Sequence, residues 1–258
     1  ESVSCLLEYA YDDWCIARMA QEMGKEDIYK KYIERSQNYI NVFDGATRFF
    51  RGKRMDGNWE SPFNPLAVGR AYTEATAWQY RFFVPHDVNG MIQLFGGKEE
   101  FVAALDDIFN TDAEIHGNLV DITGLIGQYV HGNEPSHHIA YLYNYVGEPW
   151  KTQKMSRRLL NEMYHPTPEG IIGNEDCGQM SAWYILSSMG LYSVCPGSNE
   201  YVLTTPLFEK VVVHLANGRT LTILANDPQK NIYITKVELN GKQIDTNFIT
   251  YDCLMGGG

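Results

Sequence analysis

The chain has 258 residues, of which 44% are hydrophobic and 21% charged, and its formal net charge at pH 7 is −11. This composition is that of a globular protein long enough to bury a core. The acidic balance argues against a nucleic-acid partner, which needs a basic surface, and no stretch approaches the roughly 18 apolar residues of a membrane-spanning helix.

The chain up to about residue 197 has the periodicity of helices. Apolar residues recur over 4–23 at the spacing of an amphipathic helix, Gly24 ends it, and a second helix is predicted over 27–43. Two long helices joined by so short a turn are typical of an αα-hairpin. Further helices are predicted over 87–95, 98–109, 136–146, 150–163 and 178–189. Recurring hairpins with polar loops between them suggest an α/α toroid whose loops gather in a cleft.

The pattern changes after Pro196. Four segments are rich in β-branched residues, at 210–215, 219–225, 232–239 and 248–251. Asn217-Gly218 and Asn240-Gly241 lie beside them, and Asn-Gly is a strong hairpin signal. We therefore expect a helical portion over 1–197 and a small antiparallel β portion over 198–258. No element is predicted after the last strand, so we expect the chain to be cut short there.

Polar clusters occupy the loops and the starts of the helices, at 56–65, 72–87, 131–138 and 173–183. Each sets a carboxylate near amides, imidazoles or an indole. Taken singly, Glu74, Glu134 and Asp176 fit helix caps or ion-pair partners better than catalytic groups. Taken together, the clusters supply the two carboxylates that glycoside hydrolysis needs, with further oxygen ligands for a hard cation such as calcium.

The adjacent imidazoles of His137 and His138 raise the alternative of a zinc site. Neighbouring residues on a helix point about 100° apart, which disfavours two such ligands on one zinc ion. We therefore interpret His137 as a partner for a sugar hydroxyl.

These clusters resemble the signature motifs of glycoside hydrolase family 92, a family of calcium-dependent, inverting exo-α-mannosidases. The matching runs are Glu74 with Trp78-Gln79-Tyr80, Val84-Pro85-His86-Asp87, the run 132–139 and the run 173–183. The resemblance covers essentially the whole chain. It implies that the chain is part of an (α/α)6 toroid followed by a small antiparallel β region. It also implies an N-terminal β-sandwich, absent from this chain, that forms the cleft together with the toroid.

Carried over by motif, the resemblance assigns roles to particular residues. The general acid would be Glu74, with Glu60 and then Glu134 as the alternatives, and the base would be Asp176. Calcium would be held at Asn133 and Glu134. Candidate substrate contacts are Trp59, Trp78, His86, Asp87, His137, Asn174 and Gln179. The usual Gly-Asn after the acid is Ala75-Thr76 in this chain.

The resemblance implies hydrolysis, with inversion, of terminal non-reducing α-linked mannose from glycans such as N-glycans, α-1,2 linkages in particular. It also implies a secreted, periplasmic or cell-surface protein of glycan metabolism. One alternative is a non-catalytic, calcium-dependent glycan-binding scaffold. Another is a polysaccharide lyase, which the net charge of −11 disfavours because lyases act on anionic sugars.

Overall fold

The first element is the predicted helical hairpin. In the computed structural model, which describes residues 2–117 and 122–258, α1 spans Ser2–Glu22 and α2 spans Glu26–Arg35. Gly24 turns between them at φ 67°. Of the apolar positions of α1 predicted from periodicity, Leu7, Ala10, Ala17 and Ala20 are buried and Trp14 is half-buried. The hairpin is thereby confirmed.

The second predicted helix changes geometry in its last part. α2 ends at Arg35, and Ser36–Val42 continue as a 3-10 helix. The Ser36 hydroxyl donates to the carbonyl of Ile33 at 2.8 Å. Such local bonds from serine compete with the regular helical ladder.

The chain forms two compact units, Glu1–Ser136 and His137–Gly258. In the first unit, the hairpin is followed by short two-stranded ladders and three helices. They are β1 (Phe43–Asp44), β2 (Phe49–Phe50), α3 (Ala77–Tyr80), α4 (Val88–Leu94), α5 (Lys98–Asn110), β3 (Leu125–Ile126) and β4 (Tyr129–Val130). Phe82, Phe95 and Phe101 are at most 1% exposed and pack ring to ring, with centroids 5.2–5.6 Å apart.

The second unit contains helices followed by strands. A 3-10 helix at Ile139–Val146 precedes α6 (Pro149–Glu162) and α7 (Gln179–Ser188). The strands are β5 (Leu191–Tyr192), β6 (Glu200–Leu203), β7 (Lys210–His214), β8 (Thr220–Leu224), β9 (Val237–Leu239), β10 (Lys242–Ile244) and β11 (Phe248–Thr250). All their pairings are antiparallel, and β6 lies between β5 and β11.

Both Asn-Gly turns form hairpins, as predicted. Asn217-Gly218 joins β7 to β8, with Val212 opposite Thr222, and Asn240-Gly241 joins β9 to β10. The predicted strand over 232–239 is shorter than expected, because only Val237–Leu239 pair.

The prediction that no element follows the last strand is wrong. α8 (Tyr251–Met255) follows β11 directly. The Thr250 hydroxyl accepts a hydrogen bond from the backbone nitrogen of Cys253 at 3.2 Å, which is the N-cap contact that starts a helix.

The predicted order of elements, mainly helices and then a small antiparallel β region, is observed. The predicted boundary between 1–197 and 198–258 stays a prediction. Within the described residues, no helix is both long and apolar enough to cross a membrane.

Candidate active site

Glu74 lies in a turn whose surroundings are buried. Its backbone adopts φ 52°, a left-handed conformation that is uncommon for a residue with a side chain. Ala75 and Thr76 after it are fully buried, whereas the Glu74 side chain is exposed. The Glu74 carboxylate therefore projects into solvent from a turn whose next two residues are closely packed.

A capping box fixes the chain just after Glu74. The Thr76 hydroxyl accepts from the backbone nitrogen of Trp78 at 3.2 Å, and the Gln79 Oε1 accepts from the backbone nitrogen of Thr76 at 2.7 Å. Gln79 is fully buried and also donates to the carbonyl of Gln128 at 2.6 Å. These bonds satisfy donors that a helix start leaves unpaired, so α3 begins at a defined place.

The turn also contacts the segment that carries the two predicted calcium ligands. The Nδ2 of Asn133 donates to the carbonyl of Glu74 at 2.9 Å, and Asn133 is 5% exposed. Glu134, next in the chain, is exposed and begins a short 3-10 helix, Glu134–Ser136. The structure thus brings Glu74 and Asn133 together although 59 positions separate them.

Asp176 lies in a second left-handed turn, directly before α7. Asp176, Cys177 and Gly178 have φ values of 51°, 55° and 97°. The Asp176 carbonyl accepts from the backbone nitrogen of Gln179 at 3.1 Å. The Asp176 carboxylate is exposed, and it makes no hydrogen bond or ion pair with any residue in 2–117 or 122–258.

The structural role at this helix start belongs to Glu175. Its Oε1 accepts from the backbone nitrogen of Ser181 at 3.0 Å. Hydrogen bonds from Ser181 lower the pKa of the Glu175 carboxyl. The interpretation of Asp176 as a cap is therefore not needed, because the neighbouring carboxylate fills that place.

Two predicted substrate contacts meet in the second unit. The Gln179 Nε2 donates to the Nδ1 of His137 at 3.1 Å, and the Trp183 Nε1 donates to the His137 carbonyl at 3.0 Å. His137 is 2% exposed and Gln179 is half-buried. Asn174 is exposed, two residues before Asp176. Within the second unit, His137 and the motif 173–183 thus form one cluster.

The pair His86 and Asp87 has structural contacts in the first unit. Asp87 caps α4 by accepting from the backbone nitrogen of Gly90 at 2.8 Å, and it accepts from the Tyr39 hydroxyl at 2.7 Å. The His86 Nε2 donates to the carbonyl of Ser36 at 2.9 Å, and its ring lies parallel to that of Tyr11. Burial lowers the pKa of His86.

The indoles and the alternative acid are also engaged. Trp78 is 9% exposed and packs edge-on against Phe49, with centroids 5.0 Å apart. The Lys53 ammonium lies 4.4 Å from the Trp59 ring centroid. Glu60 forms an ion pair with Arg70 at 3.8 Å. Contact of these side chains with substrate stays a prediction.

Glu8 is a carboxyl that the sequence patterns did not single out. It is partly buried on α1, and the Tyr80 hydroxyl donates to its Oε1 at 3.3 Å. Burial raises the pKa of Glu8 to about 7, and the charges of Asp12 and Glu134 raise it further, against the lowering effect of the Tyr80 bond. The one signal in the sequence is the spacing of Glu8 and Asp12, which share a face of α1.

Calcium was predicted at Asn133 and Glu134, whose oxygen donors suit a hard cation. Calcium takes about six to eight oxygen ligands, and two side chains do not make such a site. Among the residues that the structure describes, no group of three or more His, Cys, Asp or Glu side chains is placed to hold a metal. The two residues alone therefore do not fit a complete calcium site.

A cavity of about 700 Å³ lies in the β region of the second unit, and its lining includes Leu221, Ile223, Ile244 and Leu254. None of the predicted site residues lines it. A sugar site needs carboxylates and hydroxyl-binding groups close together, so we do not assign the substrate to this cavity.

Exposed carboxylates on constrained turns at helix starts are a feature that a glycoside hydrolase can use. Over residues 1–258 the chain matches the model of the glycosyl hydrolase family 92 catalytic domain. The chain belongs to glycosyl hydrolase family 92.

Solved structures share this fold. The family GH92 α-mannosidase BT3965 from Bacteroides thetaiotaomicron, in complex with mannoimidazole, is 41% identical with a TM-score of 0.93, covering 100% of this chain and 35% of that one. The inverting mannosidase BT2199 from Bacteroides thetaiotaomicron VPI-5482 is 40% identical with a TM-score of 0.87, covering 98% and 36%. This likeness confirms the predicted fold class.

A curated relative is also similar over the whole chain. An uncharacterized secreted glycosidase of Arthroderma benhamiae is 31% identical over 284 residues, covering 100% of this chain and 34% of that protein. The chain spans about a third of the length of the relatives that it matches.

The raised pKa of Glu8 predicts a pH dependence of stability. The folded-state pKa of about 7 lies above the ordinary value of 4.5, so the contribution of the protonated carboxyl is complete below pH 4.5 and is lost as pH rises through 7. Glu8→Gln removes this loss. From pH 4.5 to 7.5 the variant should gain about 1–2 kcal/mol of stability relative to the native protein, after solvent screening.

The measurement is calorimetric unfolding at constant ionic strength with chelator present, because a cation at Glu134 would change the field at Glu8. Glu22→Gln, an exposed position on the same helix, is the matched control and should follow the native curve. Parallel curves for Glu8→Gln and the native protein would contradict the assignment.

Proposed function

We propose that the protein to which this chain belongs hydrolyses terminal non-reducing α-linked mannose from glycans, with inversion of the anomeric centre. Family membership supports hydrolysis of a glycosidic bond. The neighbouring structures named as α-mannosidase and as inverting mannosidase support the sugar and the stereochemistry. α-1,2 linkages on glycans such as N-glycans are the substrate that we propose.

The Glu74 and Asp176 carboxylates are exposed and make no hydrogen bond or ion pair with the described residues, and this observation supports the proposal most. Some other carboxylates of the chain are engaged in the fold: Asp44 accepts hydrogen bonds from Thr47 and Arg51, and Glu175 accepts one from the backbone nitrogen of Ser181 in the first turn of α7. Glu74 and Asp176 project from left-handed turns into solvent, outside such contacts. A catalytic carboxylate must be able to reach substrate, and these two can.

The roles follow from the chemistry of inversion. Glu74, protonated, donates to the oxygen that leaves with the rest of the glycan, while Asp176 removes a proton from water attacking the opposite face of the sugar. Asp176 suits the base because its carboxylate is exposed and makes no ion pair with the residues that the structure describes. Glu60 is less suited as the acid because it lies in an ion pair with Arg70.

The surrounding residues would bind hydroxyls and the ring. The joined His137 and Gln179, together with exposed Asn174, suit hydroxyls near Asp176. In the first unit, we propose that the substrate contacts are Trp59, Trp78, His86 and Asp87. The rest of the protein, including an N-terminal β-sandwich, would complete the cleft. We propose secretion or display at the cell surface, supported by the secreted relative.

Substitutions can distinguish the proposed roles of Glu74 as acid and Asp176 as base. Glu74→Gln in the full-length enzyme should lower kcat on an α-mannobiose roughly 10²–10⁴-fold, because its leaving alcohol needs a proton. An aryl mannoside with a good leaving group should lose far less. Asp176→Asn should disable both substrates, since water must be activated whatever leaves. Steady-state kinetics on the two substrates measure the difference.

Glu60→Gln and Glu134→Gln are the matched controls, because these residues are the alternative acids. If either control loses activity on the α-mannobiose but not on the aryl mannoside, and Glu74→Gln is equally poor on both substrates, the residue changed in that control is the general acid. Binding of glycan without any product would favour the non-catalytic scaffold.

We propose calcium as the cofactor, bound with the help of Asn133 and Glu134. Oxygen donors favour calcium over zinc. Treatment of the full-length enzyme with chelator should abolish activity, and calcium but not zinc should restore it. Full activity after exhaustive chelation would remove the metal from the proposal.

A further inference from the structure

The turn at Glu74 needs an external support. A left-handed conformation costs a residue with a side chain free energy that the surrounding structure must offset. The capping box lies after Glu74, at Thr76 and Gln79. The carbonyl of Glu74 itself is bound by Asn133 at 2.9 Å.

The orientation of the Asn133 amide follows from its partner. A carbonyl oxygen only accepts, so the Nδ2 of Asn133 must face Glu74 and the Oδ1 must point away. Asn133 is 5% exposed, so water has little access with which to replace a lost bond. Its own carbonyl accepts from the backbone nitrogen of Ser136 at 3.2 Å, which anchors it in the turn that carries Glu134.

We propose that Asn133 is a positioning residue for Glu74: its amide holds the backbone carbonyl and thereby directs the exposed carboxyl toward the leaving oxygen. This role differs from that of a calcium ligand, because it uses the nitrogen of the amide and not the oxygen. The inference rests on the proposed function, in which Glu74 is the general acid.

Positioning of Glu74 and binding of calcium predict different effects on substrates with poor and with good leaving groups. If Glu74 is poorly positioned, it protonates a poor leaving group less often and hydrolysis of that substrate slows. A leaving group that departs without protonation is not affected. Loss of a cation that contacts the sugar would instead slow both kinds of substrate. The comparison of two substrates therefore distinguishes positioning from metal binding and from general damage.

The test uses Asn133→Asp in the full-length enzyme with calcium present. Aspartate keeps an oxygen at nearly the same place but, ionised, cannot donate to the Glu74 carbonyl. We expect kcat on α-1,2-mannobiose to fall roughly tenfold to a hundredfold, and kcat on 2,4-dinitrophenyl α-mannoside to change less than about threefold. In a Glu74→Gln background the same substitution should cause no further loss on the disaccharide.

Two further variants complete the design. Asn133→Ala carries the same comparison if a buried aspartate prevents folding, and it should raise amide hydrogen exchange over residues 73–79. Asn110→Asp is the matched control, because the Asn110 amide also donates to a backbone carbonyl, that of Asp106 within α5 at 2.8 Å, and not to that of Glu74. It should change neither kcat.

An equal loss on both substrates, or no loss on either, would overturn the role of Asn133. So would a loss that adds fully to that of Glu74→Gln. Failure of the proposed function is distinct: Glu74→Gln alone would then be equally poor on both substrates, and the inference would fall with it.

Discussion

The left-handed backbone at Glu74 and at Asp176–Gly178 is the constraint on which the candidate site depends. In each place the chain reverses just before a helix and leaves the carboxylate exposed. At Glu74 the next two residues are buried, whereas residues 173–177 around Asp176 are all exposed. Such conformations cost on the order of 1–3 kcal/mol each and persist where neighbouring groups enforce them. The first is held by Asn133, and by the Thr76–Gln79 capping box that follows it; the second is held by the bond between Glu175 and Ser181.

The Glu74 and Asp176 carboxylates differ from several others in what they contact. Asp44, Asp87 and Glu175 accept bonds from backbone or from buried partners and maintain the local fold. Glu74 and Asp176 take part in such bonds through their backbone carbonyls, whereas their carboxylates make none with the described residues. General acid–base catalysis needs a carboxyl group that is held in place by its backbone and is free to contact the substrate.

Several parts of this arrangement could be predicted from sequence. The period of α1, the Asn-Gly hairpins and the order of helices before strands are local signals, and the structure agrees with them. The capping box has a sequence signal that our sequence analysis does not use, because Thr76 and Gln79 have the spacing of that motif.

Other features depend on contacts that the sequence pattern does not contain. The raised pKa of Glu8 comes from burial beside Tyr80 and Glu134, which are distant in the chain. The bond from Asn133 to Glu74 joins residues 59 positions apart. The helix after β11 was missed because its start depends on a single threonine cap and its length is five residues. The bond from the backbone nitrogen of Ser181 to Glu175, and not to Asp176, is likewise not determined by composition.

We propose that Glu74 and Asp176 act as acid and base on opposite faces of a mannosyl ring. Proton NMR of the first sugar released from an α-mannoside by the full-length enzyme tests it most directly. We expect β-mannose before mutarotation, because water activated by Asp176 attacks from the face opposite the leaving group. Release of α-mannose first would contradict the claim, since it requires a covalent intermediate and gives Asp176 a different role.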